Sequence, residues 1–288
     1  MPSLEITALV ENRSSVRSER LRTELGLAVH VGLSGAGGDL LFDAGASDAF
    51  VHNAFRLGID LSRVRAVVVS HGHYDHVGGL PAFFSLNACA PVYLHQRAAS
   101  RCVLRILPFL RRGIGVAPSL LKASPDRFRL IDRTLEIADG VSVVAGLSRY
   151  HPLPPDSRFF FIEDRGLLVP DDFRHEILLV VQRPGGLVVL AGGCHRGVRN
   201  AVATIRDQFP GREIQALFCG FQAVRLPLTG MMPGGRIDLG QLARDLLAMD
   251  DVRTFYTCHS TSPGVVREMQ KVMGERLVYF GAGCRVVL

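Results

Sequence analysis

The ten residues from Ser70 to Gly79, SHGHYDHVGG, constrain this chain more than anything else in it. They follow an apolar run, Ala66 to Val69, and end on a Gly-Gly pair ahead of a helical pattern. His71 and His73 are two apart, so an extended backbone sends both imidazoles to one side, while Asp75 and His76 follow at the turn. Four metal-ligating side chains are thus concentrated at one strand end. Imidazole nitrogen with a carboxylate oxygen suits zinc, iron or manganese, and the lack of a local thiolate cluster argues against a purely structural zinc site. A chance His-rich turn on a solvated loop does not fit a position between a buried strand and a helix entry.

The same arrangement recurs. Four short apolar runs are each followed by a turn with a polar residue and then a helical pattern. The first is DLLF, then Asp43-Ala44-Gly45; the second is RAVVVS, then the His71 to His76 segment; the third is GLVVLA, then Gly192-Gly193-Cys194-His195; the fourth is RTFYT, then Cys258-His259. In each unit a His or Asp stands beyond the carboxyl end of a predicted strand, where open α/β sheets place ligands. Val67 to Val69 and Leu187 to Leu190 are apolar on consecutive positions, as strands buried on both faces are, so helices should cover the sheets.

No low-complexity tract or Pro/Ser linker divides the 288 residues, and with 48% hydrophobic content the chain reads as one α/β domain over 1–288. Residues 96–125, with Arg97, Arg101, Arg105, Arg111 and Arg112 among Leu, Ile and Phe, read as a basic helical insertion packed on its own protein. The net charge of +6 favours a small anionic partner, but the arginines are scattered and form no nucleic-acid footprint. The opening MPSLEITALVEN has an acid and no long apolar run, so no export signal or membrane span is expected, and the location expected is cytoplasmic. The six cysteines form no CxxC pair and are expected to be reduced. Cys194 and Cys258, each next to a candidate ligand, read as small buried hydrophobes. His30, His52, His95 and His175 lack a partner pattern and read as surface or satisfied core residues.

H-x-H-x-D-H after an apolar strand, with an upstream strand-Asp-x-Gly and later strand-end histidines, resembles the metallo-β-lactamase superfamily. The resemblance implies a four-layer αββα sandwich with two metals, zinc before iron or manganese, between the sheets. It implies that His71 and His73 bind the first metal, that Asp75 and His76 bind the second, and that His195 and His259 are the distal ligands. Asp43 matches the aspartate that orients a ligand histidine from behind. Within the superfamily the chain is similar to the 7,8-dihydropterin-6-methyl-4-(β-D-ribofuranosyl)aminobenzene-5′-phosphate synthase-like subgroup. The stretches that carry this likeness include Leu9 to Asn12, Glu24 to Leu27, Asp172 with Glu176, Leu187 to Asn200, Cys219 to Phe221 and Cys258 to Thr261.

The departures bear on substrate. Leu25 and Gln222 stand where the subgroup carries histidines, and the superfamily's bridging aspartate after the central strand is replaced by Gly-Gly-Cys-His. His195 therefore serves alone or another group fills in. His151 lies near a position where many relatives have a first-metal histidine, but Pro152, Pro154 and Pro155 make a loop there. The function expected is hydrolysis of a phosphoester or related phosphorylated small molecule through a metal-bound hydroxide, with Asp75 and His259 catalytic and Asn12 and Gln222 as candidate substrate contacts. The alternatives are a dihydropterin-type synthase releasing diphosphate, an iron dioxygenase on the same fold, and a metal-binding fold with reduced or lost catalysis.

Overall fold

The structure, a computed structural model, describes residues 3–15, 20–33, 38–107, 109–224 and 237–288. Two seven-stranded sheets face each other. From edge to edge the first runs Arg285–Val287, Leu4–Val10, Ala28–Leu33, Asp39–Phe42, Val64–Val68, Val92–His95 and Phe128–Ile131. The second runs Leu277–Tyr279, Val252–Thr257, Ile214–Cys219, Gly186–Leu190, Leu178–Arg183, Val141–Val144 and Leu135–Ala138. The four strands from Asp39–Phe42 to Phe128–Ile131 are parallel to one another. So are the four from Gly186–Leu190 to Leu277–Tyr279.

Side-chain alternation explains the layers. Leu40, Phe42 and Val68 meet Val188, Leu190, Ala216 and Phe218 between the sheets. The intervening Leu41, Val67 and Val69 point the other way, onto Phe50, Leu80 and Phe83 of the helices Ala49–Arg56 and Leu80–Leu86. On the far side Leu187, Val189 and Phe255 pack against Val198, Val202, Leu246 and Met269 of the helices Val198–Gln208, Leu239–Leu247 and Pro263–Met273. Consecutive apolar residues are therefore required because both faces are covered, and the architecture is the expected αββα sandwich. Among the described residues no helix is long and apolar enough to cross a membrane.

The helical insertion expected at 96–125 is a correction. Among the described residues helix is confined there to a 3-10 turn, Gln96–Ala99, to Pro118–Ala123 and to the start of a second 3-10 turn, Pro125–Arg127. Between them Cys102–Leu107 and Leu110–Gly113 form a hairpin, which pairs with Phe160–Asp164 and Leu167–Pro170 in a separate four-stranded sheet. Pro108 cannot donate within a helix interior and Val103 and Ile106 are β-branched. What decides is tertiary pairing, in which Val103 registers with Phe161 and Arg105 lays its guanidinium 3.8 Å from the Phe161 ring centre. This small sheet lies against the His71 to His76 segment, since Tyr74 packs with Cys102, Ile114 and Ile162 and its N–H donates to Ile114 O at 2.7 Å.

Candidate metal centre

The polar residues beyond the parallel strand ends converge from both sheets. His71, His73 and His195 each bring a ligand atom within 4.8 Å of the others, and Asp75, His76 and His259 do the same. The two trios adjoin, with ring centres of His71 and His76 4.2 Å apart. His71 and His76 are fully buried, His73, His195 and His259 nearly so, and Asp75 is the most exposed of the six, with 13% of its side chain open.

Tight turns bring these side chains in. Asp43, Phe173, Cys194, Gln222 and His259 all adopt positive φ, between 44° and 58°. Such backbone costs roughly 1–3 kcal/mol per residue outside glycine and persists only where surroundings over-determine it. Gly192, at φ +55°, has no room for a side chain, because a Cβ there would collide with Ser70 and come within 3.2 Å of Asp43 Oδ2. At Gly193 a Cβ would stand 3.3 Å from His71, His195 and Gln222 at once. The Gly-Gly pair thus lets the second sheet approach the His71 loop.

Hydrogen bonds fix three of the rings, those of His71, His76 and His259, from behind. Asp43 Oδ1 accepts Ser70 N–H at 2.7 Å, and its Oδ2 lies 2.8 Å from Ser70 Oγ and 2.6 Å from His76 Nδ1. Ser70 Oγ in turn lies 2.9 Å from His71 Nδ1. These contacts leave His71 Nε2 and His76 Nε2 as the inward lone pairs, and His71 Nε2 faces His73 Nδ1 at 3.0 Å. His76 Nε2 is buried without a partner among the described residues. Asn12 holds His259 at both ends, Oδ1 to Nδ1 at 3.1 Å and Nδ2 to the carbonyl at 2.8 Å, so His259 Nε2 turns to Asp75 Oδ2 at 3.3 Å. Glu11 accepts His259 N–H and the Tyr279 hydroxyl, each at 2.6 Å. Glu176 accepts the N–H groups of His195 and Arg196, at 2.6 and 2.7 Å.

Burial and mutual repulsion push His71 and His195 well below the usual imidazole range, and burial takes His73 down to about 3. The first trio is therefore neutral and ready to ligate. Burial also works against a charged His76, but Asp43 and Asp75 outweigh it and raise the group. Asp75 resists protonation despite its burial, because His76 and His259 hold its carboxylate charge. The donor set, three imidazoles beside a carboxylate and two imidazoles, fits divalent zinc, iron or manganese.

Other residues singled out in the sequence fall as follows. His151 stands outside both trios, on a loop where its N–H donates to Asn200 Oδ1 at 2.8 Å. Cys194 and Cys258 are buried, protonated thiols pushed far up in pKa, Cys194 by its bond to Cys219 and by burial, Cys258 by burial. Gln222 is buried at the edge of the site and donates Nε2–H to Gly193 O at 2.6 Å. Leu25 is 56% exposed. Asn12, a candidate substrate contact, has its amide committed to His259. His175 is not an isolated histidine, since its ring centre lies 6.3 Å from that of His71 and its Nε2 is 2.9 Å from Asp171 Oδ2. Phe160 stacks on His73 and Phe173 on His195, with centroids at 5.4 and 4.6 Å. Sequence reasoning missed Asp171, His175 and both aromatic rings, which carry no periodic signal.

The profile of the metallo-β-lactamase superfamily matches residues 26–190, more than half of the chain. The chain belongs to the metallo-β-lactamase superfamily. That family is generally enzymatic, a metal-dependent hydrolase fold that binds divalent metals. The match contains Asp43 and the His71 to His76 loop and stops before His195 and His259, which the fold itself brings to the same place. A relative, the 7,8-dihydropterin-6-methyl-4-(β-D-ribofuranosyl)-aminobenzene-5′-phosphate synthase of Methanocaldococcus jannaschii, is 22% identical over 212 residues, covering 69% of this chain and 70% of that protein. Among solved structures, a metal-dependent hydrolase of the β-lactamase superfamily superposes with a TM-score of 0.77 at 26% identity over 98% of each chain. A diphosphatase from the PhnP family shares the fold, with a TM-score of 0.54 at 15% identity over 100% of this chain and 98% of its own.

Proposed function

We propose that this metallo-β-lactamase-fold protein is a two-metal hydrolase that cleaves a phosphoester or related bond in a small phosphorylated molecule. The observation that carries the reading is the pair of adjoining trios, His71, His73, His195 and Asp75, His76, His259. Zinc is the first choice of metal on the donor set, ahead of iron or manganese. Divalent cations held there would supply Lewis acidity and lower the pKa of the attacking water.

The chain's own residues do the rest. Asp75, kept ionised by His76 and His259, would orient the attacking water and take its proton. His259, 3.3 Å away and held by Asn12, steers that transfer. Phe160 and Phe173 exclude water from the inner trio. Phosphorylated substrates are favoured by the net charge of +6 and by the likeness to a diphosphatase fold and to a synthase of a phosphorylated pterin compound. The last likeness also supports a second reading, in which the same centre holds a departing diphosphate in synthase chemistry. A cytoplasmic location is part of the proposal.

Elemental analysis of protein purified without added metal, followed by a panel of phosphomonoesters, phosphodiesters and diphosphates, tests this. Two metal equivalents with turnover that is lost in His195→Ala and His259→Ala are expected. Full occupancy with no hydrolysis across the panel overturns the hydrolase reading and leaves a synthase or a binding fold.

A further inference from the structure

The rim that carries the metal centre holds a second site with charged side chains in its wall. A cavity of about 360 Å³ opens there, and among its lining residues are His95, Arg97, Asp132, Arg174 and Arg196. His95 ends the strand Val92–His95, Asp132 follows Phe128–Ile131, and Arg196 follows the candidate ligand His195. The cavity thus lies at the same carboxyl ends as the metal trios, towards the outer strands, with His95 in electrostatic reach of His175.

Its charge is unbalanced. Three arginines face one aspartate. Arg174 spends Nε on Asp172 at 2.6 Å, and Arg97 reaches Asp164 only loosely, at 3.7 Å. Arg196 is the informative member, because it is only 4% exposed and its guanidinium meets carbonyl oxygens alone, Asp172 O at 2.7 Å and Ser148 O at 3.4 Å. Its Nε has no partner among the described residues. Glu176 and Asp172 act on it at longer range, opposed by the positive charge of Arg149 and Arg174. Buried charges are ordinarily paired, and a guanidinium that makes no direct ion pair of its own, beside two further arginines on the cavity wall, is an arrangement that a planar, multiply accepting oxyanion satisfies. The volume falls within the roughly 300–1,000 Å³ of small-molecule sites.

We propose that this cavity is a binding site for a phosphate-class oxyanion, separate from the metal centre and coupled to it through the adjacent His195 and Arg196. The occupant is either free inorganic phosphate or the phosphate arm of a larger molecule. Nothing in this site depends on the hydrolase reading, because neither trio supplies a ligand to it.

Calorimetric titration of the metal-loaded protein with inorganic phosphate tests it, beside Arg97→Gln/Arg174→Gln and His73→Ala. The double variant alters only exposed or half-exposed side chains and should keep its metal and its melting temperature while binding phosphate at least about tenfold more weakly, as expected when two charge-assisted partners are lost. His73→Ala should lose metal and keep phosphate binding. Competition by phenyl phosphate at equal affinity identifies a phosphate arm as the occupant, and binding of inorganic phosphate alone identifies the free ion. Wild-type protein that binds no phosphate, or a double variant that binds it as wild type does, overturns the proposal. Phosphate binding lost in His73→Ala but kept in the double variant assigns it to the metal centre and overturns the proposal equally.

Discussion

Asp43→Asn is the substitution whose consequence can be worked furthest. The Asp43 carboxylate, fully buried, can only accept, so its three partners must all donate: Ser70 N–H, the Ser70 hydroxyl and His76 Nδ1–H. With its own proton given to Asp43, Ser70 Oγ must accept from His71 Nδ1. One carboxylate therefore sets the tautomer of a histidine in each trio. Asparagine is isosteric and tolerates the φ of +58°. Its oxygen has to stay on the fixed Ser70 N–H, so its NH₂ falls on Ser70 Oγ and His76 Nδ1 and reverses both bonds. His76 then carries its proton on Nε2, and the released Ser70 hydroxyl donates to His71 Nδ1, which moves that ring's proton to Nε2 as well. Both inward lone pairs are lost. Disturbing such outer partners typically weakens metal binding about 10- to 100-fold, or about 1.4 to 2.8 kcal/mol, and here it should do so at both sites. Ser70→Ala frees only His71 and should weaken the first site alone. Competition against a chelator, with metal content followed stepwise, reads both. Unchanged affinities in Asp43→Asn, or equal losses at both sites in Ser70→Ala, would refute the reasoning.

Acidification of the metal-free chain should destabilise it from about pH 6.5 towards about pH 3. His73 falls from 6.5 to about 3, with His71 and His195 also lowered, so their contribution is complete above 6.5 and is lost as they charge on the way down. Glu176, raised from 4.5 to about 7, opposes with the reverse sign, its stability being present below 4.5 and lost as pH rises through about 7. Glu176→Gln should therefore steepen the loss seen in urea melts between pH 7 and 4.5, and an unchanged slope contradicts this. Phe173→Ala removes a fully buried ring stacked on His195 and should cost about 3–5 kcal/mol. It should also loosen the first metal, and a thermal melt with metal analysis checks both effects. Gln222→His breaks the 2.6 Å bond to Gly193 and should change rate or specificity on phosphorylated pterin-like or phosphodiester substrates at constant metal content. A broad panel in which neither moves rejects that role.

What the sequence reveals and hides follows from the range of each interaction. The inner strands were legible because double burial forces consecutive apolar residues, as at Val67 to Val69 and Leu187 to Leu190, and that requirement is local. The His71 to His76 loop is legible because four candidate ligand side chains in six residues have few other uses. His195 and His259 were within reach because parallel strands end on one rim, so a histidine just past such a strand points where the others point. The hairpin of Cys102–Leu107 and Leu110–Gly113 reads as helix in the sequence because apolar and basic residues alternate there without a fixed period, and the pairing of Val103 with Phe161 that decides otherwise is set by a strand 58 residues further on. Apart from Asp43, which the superfamily resemblance marks, the groups that hold the ligands from behind are hidden for the same reason. Asn12 meets His259 across 247 residues and Glu11 across 248, while Glu176 takes the backbone of His195 from a loop with no periodic signal. Metal ligands are confined to a few residue types at strand ends, whereas any acceptor at the right height satisfies an N–H. A sequence therefore marks the inner ligands chemically and leaves their supports to topology, and Asp43, Ser70 and Asn12, which impose the tautomers, are the residues whose substitution most directly tests whether the two trios work as metal sites.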